Sequence, residues 1–444
     1  MAFIQGEGRS QGTLFPVTLD ELIPEDHVCR VIDALVGRLE VAGLGFERAE
    51  AAETGRPGYD ARDLLKLYLY GYLQQIRCSR RLESECQRNV EWMWLLGRLC
   101  PDHKSIAEFR RVHSDAVTEA GAELIRLAGS VGLVRGEWVA IDGSKLRAVS
   151  SARSVRERDA LKRYLDELES VDAAQDEVVI DPSAVAVALE ELKKHSEPEA
   201  GFMRTGDGTA PAYKVQTAVD AEPALIVAQK VTGESNDTRS LQPMAEAPKV
   251  AVGEPQRMKV IADAGYSNGE QAEACEGKGI LPHVPSNRAI NNQGDGTFFD
   301  RTAFQYQEQS DTFVCPAGQT LTRKPLARQD RAVIYAAQAE VCGACALKGR
   351  CTARSRRFVT RYLHEAALQR MDQRATSEVM RLRRSTVEHP FATLKYRIFG
   401  HPRFLLRGLS GAQTEMSLAV MAYNIKRMFN ILGGLQLTAS FSTV

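Results

Sequence analysis

Net charge is the first thing this sequence of 444 residues lacks, because 57 Lys and Arg balance 57 Asp and Glu. A neutral sum excludes a uniformly basic coat for nucleic acid, and equally an acidic solvating tail. Cysteine is sparse: nine residues are too few for a disulfide scaffold in a chain this long. The first twenty residues (MAFIQGEGRSQGTLFPVTLD) hold no apolar stretch behind a basic start, so no secretory signal is expected there. A run of about eighteen apolar residues is also missing, so no membrane span is expected. These absences point to a reducing cytosol. Neither a G-x4-G-K-[ST] phosphate loop nor an H-E-x-x-H zinc-peptidase motif occurs.

What is present suits a globular chain of about three structural units, since 44% of residues are hydrophobic and 7% aromatic. Residues 1–135 read as all-helical, with apolar residues at three-and-four spacing in Val28–Leu39, Leu64–Ile76 and Val90–Leu99. Basic residues gather at the turns: Arg77, Arg80 and Arg81, then Lys104, Arg110 and Arg111. The second group accompanies a helix that Ser105-Ile-Ala-Glu108 would open as a capping box. Two readings fit, a helix-turn-helix meeting DNA phosphates or the solvated face of an ordinary bundle.

From residue 136 to 286 the texture changes to short apolar runs: Trp138–Ile141, Tyr213–Val219, Leu225–Val231, Met258–Ala262 and Ile280–Val284. They predict the strands of an α/β core with a mixed sheet. A charged helical insertion over 150–205 interrupts them. Residues 287–352 form a polar, Gly- and Pro-bearing insertion that holds the clustered cysteines, and 353–444 return to helical periodicity.

Two strands end alike, Val139-Ala-Ile-Asp142-Gly and Val260-Ile-Ala-Asp263-Ala-Gly. An Asp leaving a buried strand faces the edge where α/β sheets do their chemistry, and the following Gly lets backbone or ligand approach. Either Asp alone is also an ordinary turn former; the repeat favours a site. A third acid, Glu388, shares a helix face with Phe391 and Lys395, and Arg384 lies one turn before it. Pro390 must then sit near a helix start or at a kink. A plain surface charge ladder is the alternative, against which Val387, Phe391, Leu394 and Ile398 pack apolar side chains around Glu388. His389 is the one histidine that would join such a site.

Charge is also uneven along the chain. Between Lys348 and Arg407, fifteen Lys and Arg stand against four acids, the electrostatic footprint of a DNA-binding patch. Four cysteines gather as Cys315-Pro-x-Gly, Cys342-Gly-Ala-Cys345 and Cys351. C-x2-C offers two thiolates from one turn, and two more would complete a closed tetrahedral Zn²⁺ shell. Free thiols and a disulfide are the other readings.

Together these residues resemble the DDE transposases of bacterial insertion sequences, in particular the group with an N-terminal helical domain and a cysteine-bearing insertion before the Glu. The resemblance rests on Asp142-Gly-Ser-Lys, Asp263-Ala-Gly-Tyr and the Arg384-x3-Glu388-x6-Lys395 spacing. It extends to Gln11-Gly-Thr-Leu-Phe-Pro, Pro101-Asp-His-Lys-Ser-Ile-Ala-Glu-Phe-Arg and Met421-Ala-Tyr-Asn. One departure is Arg381, where related enzymes often carry Tyr. The resemblance implies an RNase H-like sheet with Asp142 on the first strand, Asp263 on the fourth and Glu388 on a later helix. It implies that these three hold two Mg²⁺ or Mn²⁺ ions, with Arg384 and Lys395 as phosphate clamps. The implied reaction frees a 3′-OH at the ends of the element and joins it to target DNA, with double-stranded DNA as partner and a homodimer to pair the ends. A nuclease or resolvase of the same fold, or an inactive DNA-binding repressor, is the alternative.

Overall fold

The computed structural model describes residues 17–47, 58–173, 186–187, 190, 197–206, 208–252, 257–286, 298–324 and 332–442, and only the backbone for 164–173 and 332. The Gln11–Pro16 motif and most of the second helical stretch read in the 150–205 insertion lie outside the described residues. Among the described residues no helix is long and apolar enough to cross a membrane.

The N-terminal region is helical, as the periodicity predicts: Val28–Gly37, Ala61–Leu73, Ser79–Arg88, Val90–Leu95, His103–Val112 and Ser114–Ser130. Asp60 caps the second of these by accepting the Arg62 N–H at 2.7 Å. The 103–112 helix begins two residues before the expected capping box. Its cap is Asp102, which accepts from the backbone of Lys104 and Ser105, while Glu108 turns to Arg111 instead. An Asp at the cap accepts both amides at once, leaving Ser105 to donate its hydroxyl to the same carboxylate.

A six-stranded mixed sheet follows, built from β1 (Trp138–Arg147), β2 (Gly201–Thr205), β3 (Gly208–Asp220), β4 (Ile226–Thr232), β5 (Met258–Ile261) and β6 (Ile280–His283). β3 runs antiparallel to β1 on one side and to β2 and then β4 on the other. β1, β5 and β6 are parallel neighbours. With β2 set aside, the order β4-β3-β1-β5-β6 is the RNase H-like arrangement that was expected, and Asp263 follows the fourth strand. Two expectations change. Gly201–Thr205 is a strand, not part of a helical insertion. β1 continues to Arg147, so Asp142 lies within the strand instead of at its end; the polar run Asp142-Gly-Ser-Lys is held by pairing with β3, where Asp142 faces Thr217.

The helix Gly408–Leu432 packs against β4 and against helices 61–73 and 114–130. Among the described residues β4 pairs with β3 alone, and this helix covers its free edge with side-chain amides. Asn424 accepts the Ile226 N–H at 2.9 Å and donates to the Ile226 carbonyl, while Gln413 accepts the Val231 N–H. Tyr423 donates to the Ala224 carbonyl, so the Met421-Ala-Tyr-Asn motif is the seam between helix and sheet. One hydrophobic core runs from Val31 in the N-terminal helices through the sheet to Phe441; the boundary read at 135 falls inside it.

The cysteine-bearing insertion has its own antiparallel sheet: β7 (Gln305–Gln307), β8 (Thr312–Val314), β9 (Thr320–Arg323), β10 (Ala332–Ala336) and β11 (Phe358–Tyr362), the last of which lies in the 353–444 segment read as helical and carries the insertion past residue 352. Phe304, Phe313, Leu321, Tyr335 and Val359 form a separate small core beneath it, more than its polar sequence suggested.

Candidate active site

The structure brings Asp142 and Asp263 together. Asp142 Oδ1 accepts the Gly143 N–H at 2.8 Å, and Asp263 caps the turn Ala264–Tyr266 by accepting the Gly265 N–H at 2.8 Å. Strand pairing of β1 with β5 carries both to the same side of the sheet. Nη2 of Arg383 lies 2.6 Å from Asp142 Oδ1 and 3.3 Å from Asp263 Oδ2. Burial pushes the Asp142 carboxyl above the usual carboxylate range; the Arg383 guanidinium opposes this, while Asp263 and Asp237 push the same way.

Arg383 comes from the helix Ser377–Ala392, which packs on β1, β3 and β5. Thr386, Val387, Pro390 and Phe391 are its buried side. Glu388 lies five residues after Arg383, about 140° around the helix; it is exposed and makes no hydrogen bond or ion pair among the described residues. Arg384 is likewise exposed, as is His389. Pro390 lies inside the last turn of this helix, neither at its start nor outside it, just before a π-helical segment over Thr393–Ile398, the kind of local widening that marks functional sites. Lys395 lies in that segment, half-buried. Burial holds its ammonium below the usual value, and the Asp142 carboxylate pulls it back up. The structure thus gathers Asp142, Asp263 and Lys395, with Glu388 and Arg384 on the exposed side of the same helix.

Asp237, Lys214, Gln216 and Arg383 escaped the sequence reading. Asp237, in the loop after β4, pairs with the Lys214 ammonium and accepts the Gln216 Nε2–H at 2.5 Å. Tyr266 in turn donates its hydroxyl to Gln216 Oε1. A signal existed, because Lys214 and Gln216 are polar residues in an apolar strand, and both are nearly fully buried. Arg383 was passed over because spacing to Glu388 selects Arg384; only the packed face of the helix identifies its neighbour.

The donors suit a hard divalent cation. One cationic nitrogen already touches both carboxylates. Beside them a buried oxygen, Thr217 Oγ1, on the residue paired with Asp142, has no hydrogen-bond partner. Oxygen-rich sites of this kind fit Mg²⁺ or Mn²⁺. Among the described residues no group of three or more His, Cys, Asp or Glu side chains is gathered tightly enough to hold a metal.

The basic segment 348–407 is partly spent internally. Arg370 and Arg374 pair with Glu276, Arg357 donates to the Cys351 and Phe299 carbonyls, and Arg403 donates to the Val149 carbonyl. Arg381, Arg384 and Arg397 are exposed. In the N-terminal helices, Arg77 donates to Glu415 and Arg110 is buried against Tyr68, so neither reaches a phosphate. Arg80, Arg81, Lys104 and Arg111 remain exposed.

In the insertion, Cys315, Cys342, Cys345 and Cys351 all line one small pocket, and none forms a disulfide. The Gln319 N–H donates to Cys315 Sγ at 3.4 Å across a turn closed by Gly318.

Comparison with known proteins adds a family. No curated protein matches the chain. One solved structure similar to it is a piggyBac transposase synaptic complex with hairpin DNA, at 10% identity, with a TM-score of 0.32, over 93% of this chain and 80% of that one; a likeness this low carries no argument. The family model described as Transposase domain (DUF772) matches residues 17–112. The one described as Transposase DDE domain matches residues 172–425, which include Asp263, Glu388 and Lys395. Covering more than half of the sequence, that match shows that the chain belongs to the DDE transposase family.

Proposed function

We propose that this DNA transposase cuts the ends of an insertion sequence by metal-dependent phosphodiester hydrolysis and joins the freed 3′-OH to target DNA. The observation that supports this most is the meeting of Asp142 and Asp263 at one cationic nitrogen, from segments 121 positions apart in sequence. Asp142, Asp263 and Glu388 are read as the carboxylates for two Mg²⁺ or Mn²⁺ ions, with Glu388 supplied from the exposed side of its helix. Bound there, such ions lower the pKa of attacking water and offset charge on the leaving oxygen. Lys395 and Arg384 bind phosphate oxygens, Lys395 as a point charge beside Asp142 and Arg384 bidentately. Arg383 holds the two carboxylates in register and contributes positive charge beside the scissile phosphate. The exposed Arg80, Arg81, Lys104 and Arg111 contact the backbone of double-stranded DNA, and two copies act together to pair the element ends.

The four cysteines are read as a structural Zn²⁺ site, since four thiols around one pocket match zinc's preference for sulfur. Elemental analysis of protein purified without chelator should find about one zinc per chain; less than about half an equivalent would remove the site. Asp142→Asn should reduce Mn²⁺-dependent strand cleavage by about a thousandfold or more, and undiminished cleavage would overturn the assignment. A pre-cut 3′-OH end separates transposase from simple nuclease, because only the former yields joined product. Glu388→Gln should likewise abolish cleavage; full function in that variant would favour a repressor.

A further inference from the structure

The Asp142-Gly and Asp263-Ala-Gly motifs share a feature that metal binding alone does not require: both glycines open onto the Asp237 carboxylate. Asp142 and Gly143 point to opposite faces of β1. Gly143 pairs with Gln216 and so lies on the reverse face. A Cβ at Gly143 would stand 2.7 Å from Lys214 Cε, 3.0 Å from Gln216 Oε1 and 3.1 Å from Asp237 Oδ1. A Cβ at Gly265 would stand 3.0 Å from Asp263 Oδ1 and 3.4 Å from Asp237 Oδ2. The Lys214–Asp237 pair therefore fills the space immediately behind the first carboxylate and immediately beneath the second.

This group is tied down on every side. Lys214 is 5% exposed, Gln216 1% and Tyr266 0%. Gln216 donates to Asp237 and accepts from Tyr266, which pins the Ala264–Tyr266 turn to β3. The adjoining Thr238 carbonyl accepts from Asn268 Nδ2 at 2.7 Å, which fastens the Asp237 loop to the segment after Asp263. With Asp237 Oδ1 and Oδ2 already held by Gln216 and Lys214, the carboxylate is engaged by protein and not directed at a cation.

We infer that the Lys214–Asp237 ion pair, locked by Gln216 and Tyr266, is a positioning unit that fixes the spacing of Asp142 and Asp263 for divalent-cation binding. It acts through the backbone of Gly143 and Gly265 and touches neither DNA nor metal. Supporting groups of this kind commonly change metal affinity by ten- to a hundredfold when removed. The inference rests on reading Asp142 and Asp263 as metal ligands.

The test is Mn²⁺ binding to the full chain by calorimetry, without DNA, for Lys214→Met, Asp237→Asn and the double variant. Each single substitution should weaken Mn²⁺ binding about tenfold, and the double variant no further than either single, because the pair works as one unit. Tyr266→Phe, which leaves the buried charges paired, should weaken binding a few-fold and serves if the charge variants do not fold. Single variants within twofold of the parent, or additive losses in the double, would overturn the inference, as would an unchanged affinity in Tyr266→Phe. Asp142→Asn is the control: if it leaves Mn²⁺ binding intact, the metal-site reading fails; if it abolishes binding while the pair variants do not change it, only the positioning role fails.

Discussion

Gly143 shows how much of this site is set by an atom that is missing. Any side chain there meets Lys214 and Gln216 on the reverse face of β1, so Gly143→Ala should cost about 1–3 kcal/mol through forced displacement of buried side chains. Urea unfolding measures this directly, and an unchanged midpoint would show that Lys214 moves aside freely. The neighbouring arginines separate by the same logic of faces. Arg384 is exposed, so Arg384→Ala should weaken DNA binding and lower the salt slope of log K by about one. A slope equal to the parent's would place Arg384 off the DNA path. The meeting of Asp142 and Asp263 was legible because type and repeat marked them. Arg383 and Asp237 were not, since their meaning depends on which helix face packs inward and where a loop returns.

At the level of elements, what the sequence concealed was extent more than existence. β1 was read as ending at Ile141 because apolar character stops there, yet the strand continues through polar residues that β3 pairs with. The Gly201–Thr205 strand was hidden next to a charged helix for the same reason: its hydrogen bonds go to β3, a partner that local pattern does not name. The helix Glu365–Arg374, between the insertion and the helix that carries Glu388, is fastened to Gly269–Gly277 by Glu276. Burial pushes the Glu276 carboxyl up, but hydrogen bonds from Arg370 and Arg374 outweigh it and hold it below the usual range. A depressed carboxylate adds stability that is fully present above its unfolded value and is lost as pH falls through the folded value. Glu276→Gln should therefore cost about 1–2 kcal/mol at neutral pH, with the gap to the parent closing under acid conditions below the ordinary carboxylate range. Urea midpoints at both conditions check this, and a gap independent of pH would contradict it.

For the whole molecule, the neutral charge sum conceals a division of labour. Several cations of the 348–407 segment are consumed holding the fold together; of the exposed ones, Arg381 and Arg384 lie on the helix that carries Glu388 and Arg397 on the π-helical turn after it, while Arg350, Arg354 and Arg407 lie elsewhere. The larger hydrophobic core, running from the N-terminal helices to the last helix, packs those helices and the sheet that bears Asp142 into one body, with Glu415 and Arg77 paired inside it. The cysteine insertion is separate in its packing, so a chelator should melt it while the main core stays folded, visible as a new low-temperature transition in calorimetry; an unaltered thermogram would argue against zinc. The central claim is that Asp142 and Asp263 drive DNA cutting and joining. The most direct measurement incubates the chain and Mn²⁺ with DNA carrying the inverted repeats that flank its gene. Nicked 3′ ends and joined products from the parent, both lost in Asp142→Asn, are the predicted result; products that persist in Asp142→Asn would contradict it.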